Sequence, residues 1–316
     1  MSKLKEPYNL SPRVKWLRDY YFKGVERKWN NEALAFTTGT EYDDIYDELT
    51  FYIVPEVHNF FNPFVKGILV SATRIDMPEN FFKKSIPERK QYFNQKAIVD
   101  YVPQEILPGD LIAGGHFNIF TSRCLTAKEA KEYKKALRGK GGFRERLFEI
   151  KDRGIGNCGP TSGHLIPDYA TVIREGFKAK QEYFQALYEK LTEEEKAGKK
   201  GGNLRAMIGS CSTPKLLADK YSAECARLAA LEKDAKRKKE LQKMSEINKK
   251  VPWLPAEDFY EAVQSLWMTH MLVMSDENYP GPGVSFGRLD QYLYPYYMAS
   301  IAKGEDKEFL KDIIKC

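Results

Sequence analysis

Apolar residues at helical spacing first appear at Val14, Leu17, Tyr21 and Val25, and they predict a helix from Val14 to about Phe36. A β-branched and aromatic run, Leu49 to Val54, stops at Pro55 and reads as a strand. The helical pattern returns from Ser85 to Tyr101 and ends near Pro103. Pro108 and Gly109 read as a turn feeding a short buried strand that runs to Gly115. Thr126 and Glu129 have capping-box spacing, so a further helix should begin there and break at Gly139 to Gly142.

A Gly-rich loop occupies Gly154 to Gly163. Pro167 and Asp168 then open a helix with Tyr169, Val172, Ile173 and Phe177 on one face, because an early proline and an early acid suit a helix N-terminus. Gly198 to Gly202 reads as a linker. Beyond it Leu217, Tyr221, Cys225, Leu228 and Leu231 keep helical spacing until the basic run Lys236 to Lys239, which reads as a solvated helix face. Trp253 to Pro255 marks a break. The stripe Phe259, Val263, Leu266, His270 and Val273 predicts a buried helix that empties into Asn278 to Gly283. Glu308 to Cys316 is an amphipathic helix without a C-cap, which reads as a cut rather than a natural end.

Composition changes this picture little. The 316 residues allow one large domain or two ordinary ones, and 42% hydrophobic with 30% charged residues is an ordinary globular balance. The net charge of +6 is mild and the basic residues look scattered or balanced by acids, which argues against a nucleic-acid partner. No apolar run approaches the roughly twenty residues of a bilayer span, and the first ten residues lack the apolar core of a signal peptide. A soluble, cytoplasmic protein with no membrane partner is expected. The five cysteines (Cys124, Cys158, Cys211, Cys225, Cys316) form no CxxC pair, so reduced, structural thiols are expected rather than a metal or redox site.

Local chemistry is sparse. The Gly/Lys stretches lack Walker spacing, and the four histidines make no metal cluster by spacing. His58 reads as structural, and His270, on an apolar stripe, as a satisfied core imidazole. His164 lies in a Gly-rich loop that leads into a helix, where backbone amides and a ring converge on a polar ligand. His116 follows Gly114 and Gly115 at a strand end, a common place for sites. For both, a functional and a structural role stay open. Pro280 to Gly283 fixes an irregular backbone that suits a pocket wall or a plain turn. Arg288 and Asp290 either pair with each other or with neighbours.

Three segments together carry a resemblance: Gly163 to Tyr169, Phe259 to Trp267, and Ser285-Phe286-Gly287-Arg288-Leu289-Asp290-Gln291 with its continuation to Tyr297. In order and content they resemble the glycyl radical enzymes of the pyruvate formate-lyase-like superfamily, over nearly the whole chain. The resemblance implies an α/β fold, a ten-stranded barrel wrapped by many helices, of which residues 1–316 would be the N-terminal half. It implies a catalytic Cys on a central loop and a Gly radical near the C-terminus. A radical-SAM activating enzyme with an iron–sulfur cluster installs that radical. None of the five cysteines sits in a matching Gly-Cys-Val loop, so catalytic residues are expected beyond this chain, and the chain alone is expected to be inactive and to bind no cofactor. Full-length relatives imply a homodimer acting on a small organic acid.

Diol-dehydrating members carry a His-Ser pair where this chain has Pro282 and Gly283, which argues against diol dehydration; a diol- or choline-type lyase stays an alternative, as does a non-catalytic truncated fragment that acts as an interaction or scaffold piece. The stretch Glu277 to Gly287 is similar to the isethionate sulfite-lyases, which hold the sulfonate with an Arg and a Gln four residues apart. Here those positions are His116 and Phe120. Loss of the guanidinium fork weakens sulfonate recognition, whereas Phe120 adds apolar area and His116 can still donate to a carboxylate. The resemblance therefore points to an arylacetate such as indoleacetate, decarboxylated by a radical route. His116, Phe120, His164, Pro282, Gly283 and Ser285 would form the substrate-binding set.

Overall fold

A computed structural model of the chain describes residues 10–23, 77–101, 104–115, 124–155, 165–277 and 284–316. These residues form the helices α1 (Pro12–Lys23), α2 (Ile86–Tyr101), α3 (Ala127–Arg138), α4 (Phe143–Asp152), α5 (Tyr169–Glu189) and α6 (Glu193–Ala197), then α7 (Lys199–Leu231), α8 (Ala235–Lys250), α9 (Phe259–Glu277), α10 (Leu289–Ala302) and α11 (Lys307–Lys315). The long helix α7 is the spine, packed by α2, α5 and α8. It buries Cys211, Leu217, Ala218, Tyr221, Cys225 and Ala229, which includes most of the stripe read from the sequence. Helix α9 lies against α5, α10 and α11, and Leu310 and Ile313 of α11 bury the amphipathic face expected of the last helix.

Local signals placed most helix ends. Thr126 Oγ1 accepts from the Glu129 N–H (3.2 Å) and the Glu129 carboxylate accepts from the Thr126 N–H (2.8 Å), so the capping box forms. Pro167 stays outside α5, whose N-cap is Asp168, accepting from the Thr171 N–H at 3.2 Å. The α/β expectation is met on its helical side. Among the described residues one parallel bridge, Leu165 with Val284, is the β pairing. The predicted strand at 49–54 lies outside the described residues, as do residues 24–36 of the first predicted helix.

Three expectations need correction. Residues 111–115, read as a strand, form no ladder among the described residues, because a side chain supplies their pairing (below). Gly198 to Gly202 is not a linker. Helix α7 begins at Lys199, and Gly201 and Gly202 are buried in its first turn, where a side chain at 202 would meet the Ser85 hydroxyl at 2.7 Å. The basic run is only partly a solvated face. Arg237 donates to the Asp110 carbonyl (2.6 Å) and the Leu107 carbonyl (2.9 Å) and pairs with Glu240 (3.1 Å), so it fixes the turn before residue 111. Arg13 pairs with the same Glu240 and donates to the Gly109 carbonyl.

Helix α5 carries a kink that periodicity did not reveal. Gly176 has φ +76°, and the N–H groups of Phe177 and Lys178 donate to the carbonyls of Pro252 (2.9 Å) and Trp253 (3.0 Å). A β-carbon at 176 would lie 2.3 Å from the Trp253 carbonyl oxygen. Only glycine admits both that φ and that approach. The segment 252–256, which the sequence marks as a break, is thereby stitched into α5, and the Ala256 N–H donates to the Ile173 carbonyl.

Candidate functional site

Helix α9 organises the region to which the sequence-predicted residues attach. Gln264 is almost fully buried, on the apolar face of the helix. Its amide nitrogen donates to the Ala113 carbonyl and its amide oxygen accepts from the Ala113 N–H, both at 2.8 Å. One side-chain amide thus does for Ala113 what a neighbouring strand would do, and leaves no buried backbone group orphaned. The Tyr260 hydroxyl, one turn earlier, donates to the Leu111 carbonyl. One and two turns later, Trp267 and Met271 close on Gly114. That residue has φ +125°, and a β-carbon there would lie 3.0 Å from Trp267 Nε1 and Met271 Sδ. The Gly115 N–H points at Met271 Sδ (3.1 Å). Segment 111–115 therefore lies in a fixed track along α9, and the next residue in the chain is His116.

The second group is aromatic. The Tyr169 hydroxyl and His270 Nδ1 share a 2.7 Å hydrogen bond, and the His270 ring stacks on Phe286 (4.1 Å between centroids) and more distantly on Trp267 (5.8 Å). Burial holds the Tyr169 phenol well above its usual range, so it keeps its proton and is the natural donor, with the imidazole nitrogen accepting. The Tyr292 hydroxyl donates to the Phe286 carbonyl at 2.8 Å. The core-imidazole reading of His270 holds. This layer backs the Leu165–Val284 bridge, in which the Ser285 N–H donates to the Leu165 carbonyl at 3.0 Å.

The bridge explains why distant motifs belong together. Leu165 follows His164 in the chain, and Val284 follows Pro282 and Gly283, so both attachment points meet behind one aromatic layer on α9. Of the predicted site residues, His116, Phe120, His164, Pro282 and Gly283 lie outside the described residues. Ser285 is described and exposed, and its hydroxyl accepts from the Gly287 N–H (3.2 Å). Arg288 and Asp290 pair with each other on the surface (3.1 Å), which holds the Asp290 carboxyl below its usual range. Gln264, Trp267, Met271 and Tyr169 were given no role by sequence. The available signal was a polar residue, Gln264, on an otherwise apolar helical face.

The described cysteines offer no activated nucleophile. Burial pushes Cys124 and Cys211 up to about 11 and Cys225 and Cys316 up to about 12, so they stay protonated near neutrality. A cavity of about 500 Å³ between α2, α5, α7 and α9 uses the other face of α9, through Thr269, Leu272, Val273 and Asp276, and no predicted site residue lines it.

The order of motifs along this scaffold matches a known family: the model for pyruvate formate lyase-like proteins covers residues 157–316. The chain belongs to this family of glycyl radical enzymes. Within it the chain is 34% identical to the isethionate sulfite-lyase of Oleidesulfovibrio alaskensis over 155 residues, which is 48% of this chain and 18% of that protein. It is 39% identical to the indoleacetate decarboxylase of Tractidigestivibacter scatoligenes over 97 residues, 31% of this chain and 11% of that one. The solved glycyl radical enzyme from Archaeoglobus fulgidus superposes with a TM-score of 0.59 at 22% identity, covering 78% of this chain and 36% of that one, which shows the shared fold. These matches span at most about a third of the relatives' own length. Among the described residues no helix is long and apolar enough to cross a membrane.

Proposed function

We propose that residues 1–316 are the N-terminal part of the barrel domain of a glycyl radical lyase that decarboxylates an arylacetate such as indoleacetate. The observation that carries the substrate is the pair His116 and Phe120, which stand where the resemblance puts the sulfonate-binding Arg and Gln. A planar ring stacks on Phe120, and a carboxylate accepts from His116. The rigid track Ala113–Gly115 on α9 supports this reading, because a residue that orients substrate needs a fixed attachment. His164, Pro282, Gly283 and Ser285 complete the pocket wall. The Cys and Gly that carry the radical belong to the part of the protein outside this chain, where a radical-SAM activating enzyme installs the glycyl radical. This chain's residues bind and orient the acid and exclude water.

A second reading, cleavage of the carbon–sulfur bond of isethionate, is favoured by the identity to sulfite-lyases over about half of the chain. The products separate the two. The complete protein, activated anaerobically, is given indole-3-acetate and isethionate in parallel, and carbon dioxide and sulfite are measured. Carbon dioxide from the arylacetate alone supports the proposal, and sulfite from isethionate alone replaces it with the second reading. His116→Ala should raise KM for the preferred acid far more than it lowers kcat, since the ring binds substrate but does not react.

A further inference from the structure

Segment 111–115 is gripped at alternate residues by successive turns of one helix. Leu111 is held by Tyr260, Ala113 by both bonds to Gln264 (2.8 Å each), and the Gly115 N–H faces Met271 Sδ at 3.1 Å. Burying the Gln264 amide costs desolvation that an apolar side chain of the same shape would not incur. Apolar packing, however, would cover the segment without fixing its register, and register is the best-attested use of a buried polar group. A slip of one residue along α9 would break both Ala113 bonds and shift the following residue by about 3.3 Å. Gly114 adds a second lock. It combines φ +125° with a β-carbon position only 3.0 Å from Trp267 Nε1 and Met271 Sδ, so a slip that brought Ala113 to this place would clash.

We propose that Gln264 is a positioning residue for substrate binding: it fixes the register of segment 111–115 and thereby the place from which residue 116 meets the acid. The inference rests on the function proposed above, through the role given there to His116. Gln264 acts only through the backbone it holds, and Met271 acts in the same way from Gly115. Specificity for the acid is then set partly on α9, three residues along the chain from the group that binds it.

The test uses the complete protein, activated anaerobically, with the acid it turns over, indole-3-acetate or isethionate. Gln264→Met keeps the side-chain length and removes the paired donor and acceptor. Met271→Leu is a milder change of similar volume that removes the sulfur facing the Gly115 N–H, and it decides the matter if Gln264→Met does not fold. KM is the deciding readout, because it does not depend on how much of the enzyme is folded and activated. A merely structural defect lowers the active fraction and leaves KM alone. The expected result is a KM raised about tenfold or more in Gln264→Met and about threefold in Met271→Leu, with kcat per glycyl radical changed less than about twofold. In a His116→Ala background the same changes should move KM by no more than about twofold, because the residue through which they act is gone. A KM within about twofold of the unmodified protein in every variant that folds overturns the proposal. So does a rise that persists undiminished in the His116→Ala background. If His116→Ala alone leaves KM unchanged, the reading of the substrate site fails first, and the role of Gln264 falls with it.

Discussion

The α9 core and the α3–α4 hairpin are both helical, both carry aromatic side chains, and differ in how their polar groups are satisfied. On α9, Gln264, Tyr260 and His270 each reach a specific buried partner. On the hairpin, the described basic side chains and several large apolar ones face outward, and an ion pair at the base roots the arm. A buried polar group left alone costs its full desolvation, whereas an exposed one returns to water. The same kind of substitution should therefore be severe in one region and nearly silent in the other. The first is built to hold a shape, and the second meets solvent along most of its length.

The contrast is sharpened most at Gln264. Gln264→Leu leaves both backbone groups of Ala113 buried and unpaired and should destabilise the protein by about 4 kcal/mol in denaturant unfolding, from two orphaned groups. A loss no greater than that of an exposed substitution would show that the track along α9 is not rigid. Gly176→Ala is next, at about 3 kcal/mol, because it meets both an unfavourable φ and the Trp253 carbonyl. Tyr169→Phe keeps the ring but removes the hydrogen bond to His270 Nδ1 and should cost about 2 kcal/mol. On the hairpin, Lys134→Ala should change stability by no more than about 0.5 kcal/mol. A larger effect there would mean the arm is held down along its length.

The hairpin root gives an effect that depends on pH. Hydrogen bonds from Arg89, then from Thr126, hold the Glu129 carboxyl at about 2, below its ordinary 4.5. A carboxyl depressed on folding stabilises above its unfolded value, and that contribution is lost as pH falls through the folded one. The melting temperature of the unmodified protein should therefore exceed that of Glu129→Gln near neutrality. The gap should shrink steadily between pH 4.5 and pH 2. A gap that stays constant through that window would show that charge on Glu129 does not root the arm.

Much of the helical scaffold was legible in the chain, since it depends on local geometry. A threonine three residues before a glutamate satisfies two orphan amides wherever it occurs, so Thr126 and Glu129 start α3 as spaced. The stripes of α7, α9 and α11 likewise follow from 3.6 residues per turn. Misreadings arose where a distant partner changed a local meaning. Glycine usually loosens a chain, but Gly202 serves close packing against Ser85. A basic run usually faces water, but Arg237 found two carbonyl acceptors, at residues 107 and 110. Counted over the chain, the basic residues looked scattered. Residues 127–153 hold ten of them against five acids, and most of those described there are exposed.

By itself the sequence determined most of the helices, the order of the three motifs, and through them the family. The substrate reading at His116 and Phe120 rests on the resemblance and belongs to the proposed function. Tertiary structure alone decided that Gln264 stands in for a strand beside Ala113, and that the chain neighbours of His164 and Gly283 meet through the Leu165–Val284 bridge. The physical reason is range. Periodicity and capping are set by neighbours within a turn or two, and they can be read from spacing. Buried hydrogen bonds between residues more than a hundred positions apart, such as Ala113 with Gln264, exist only once the fold has removed water from both partners.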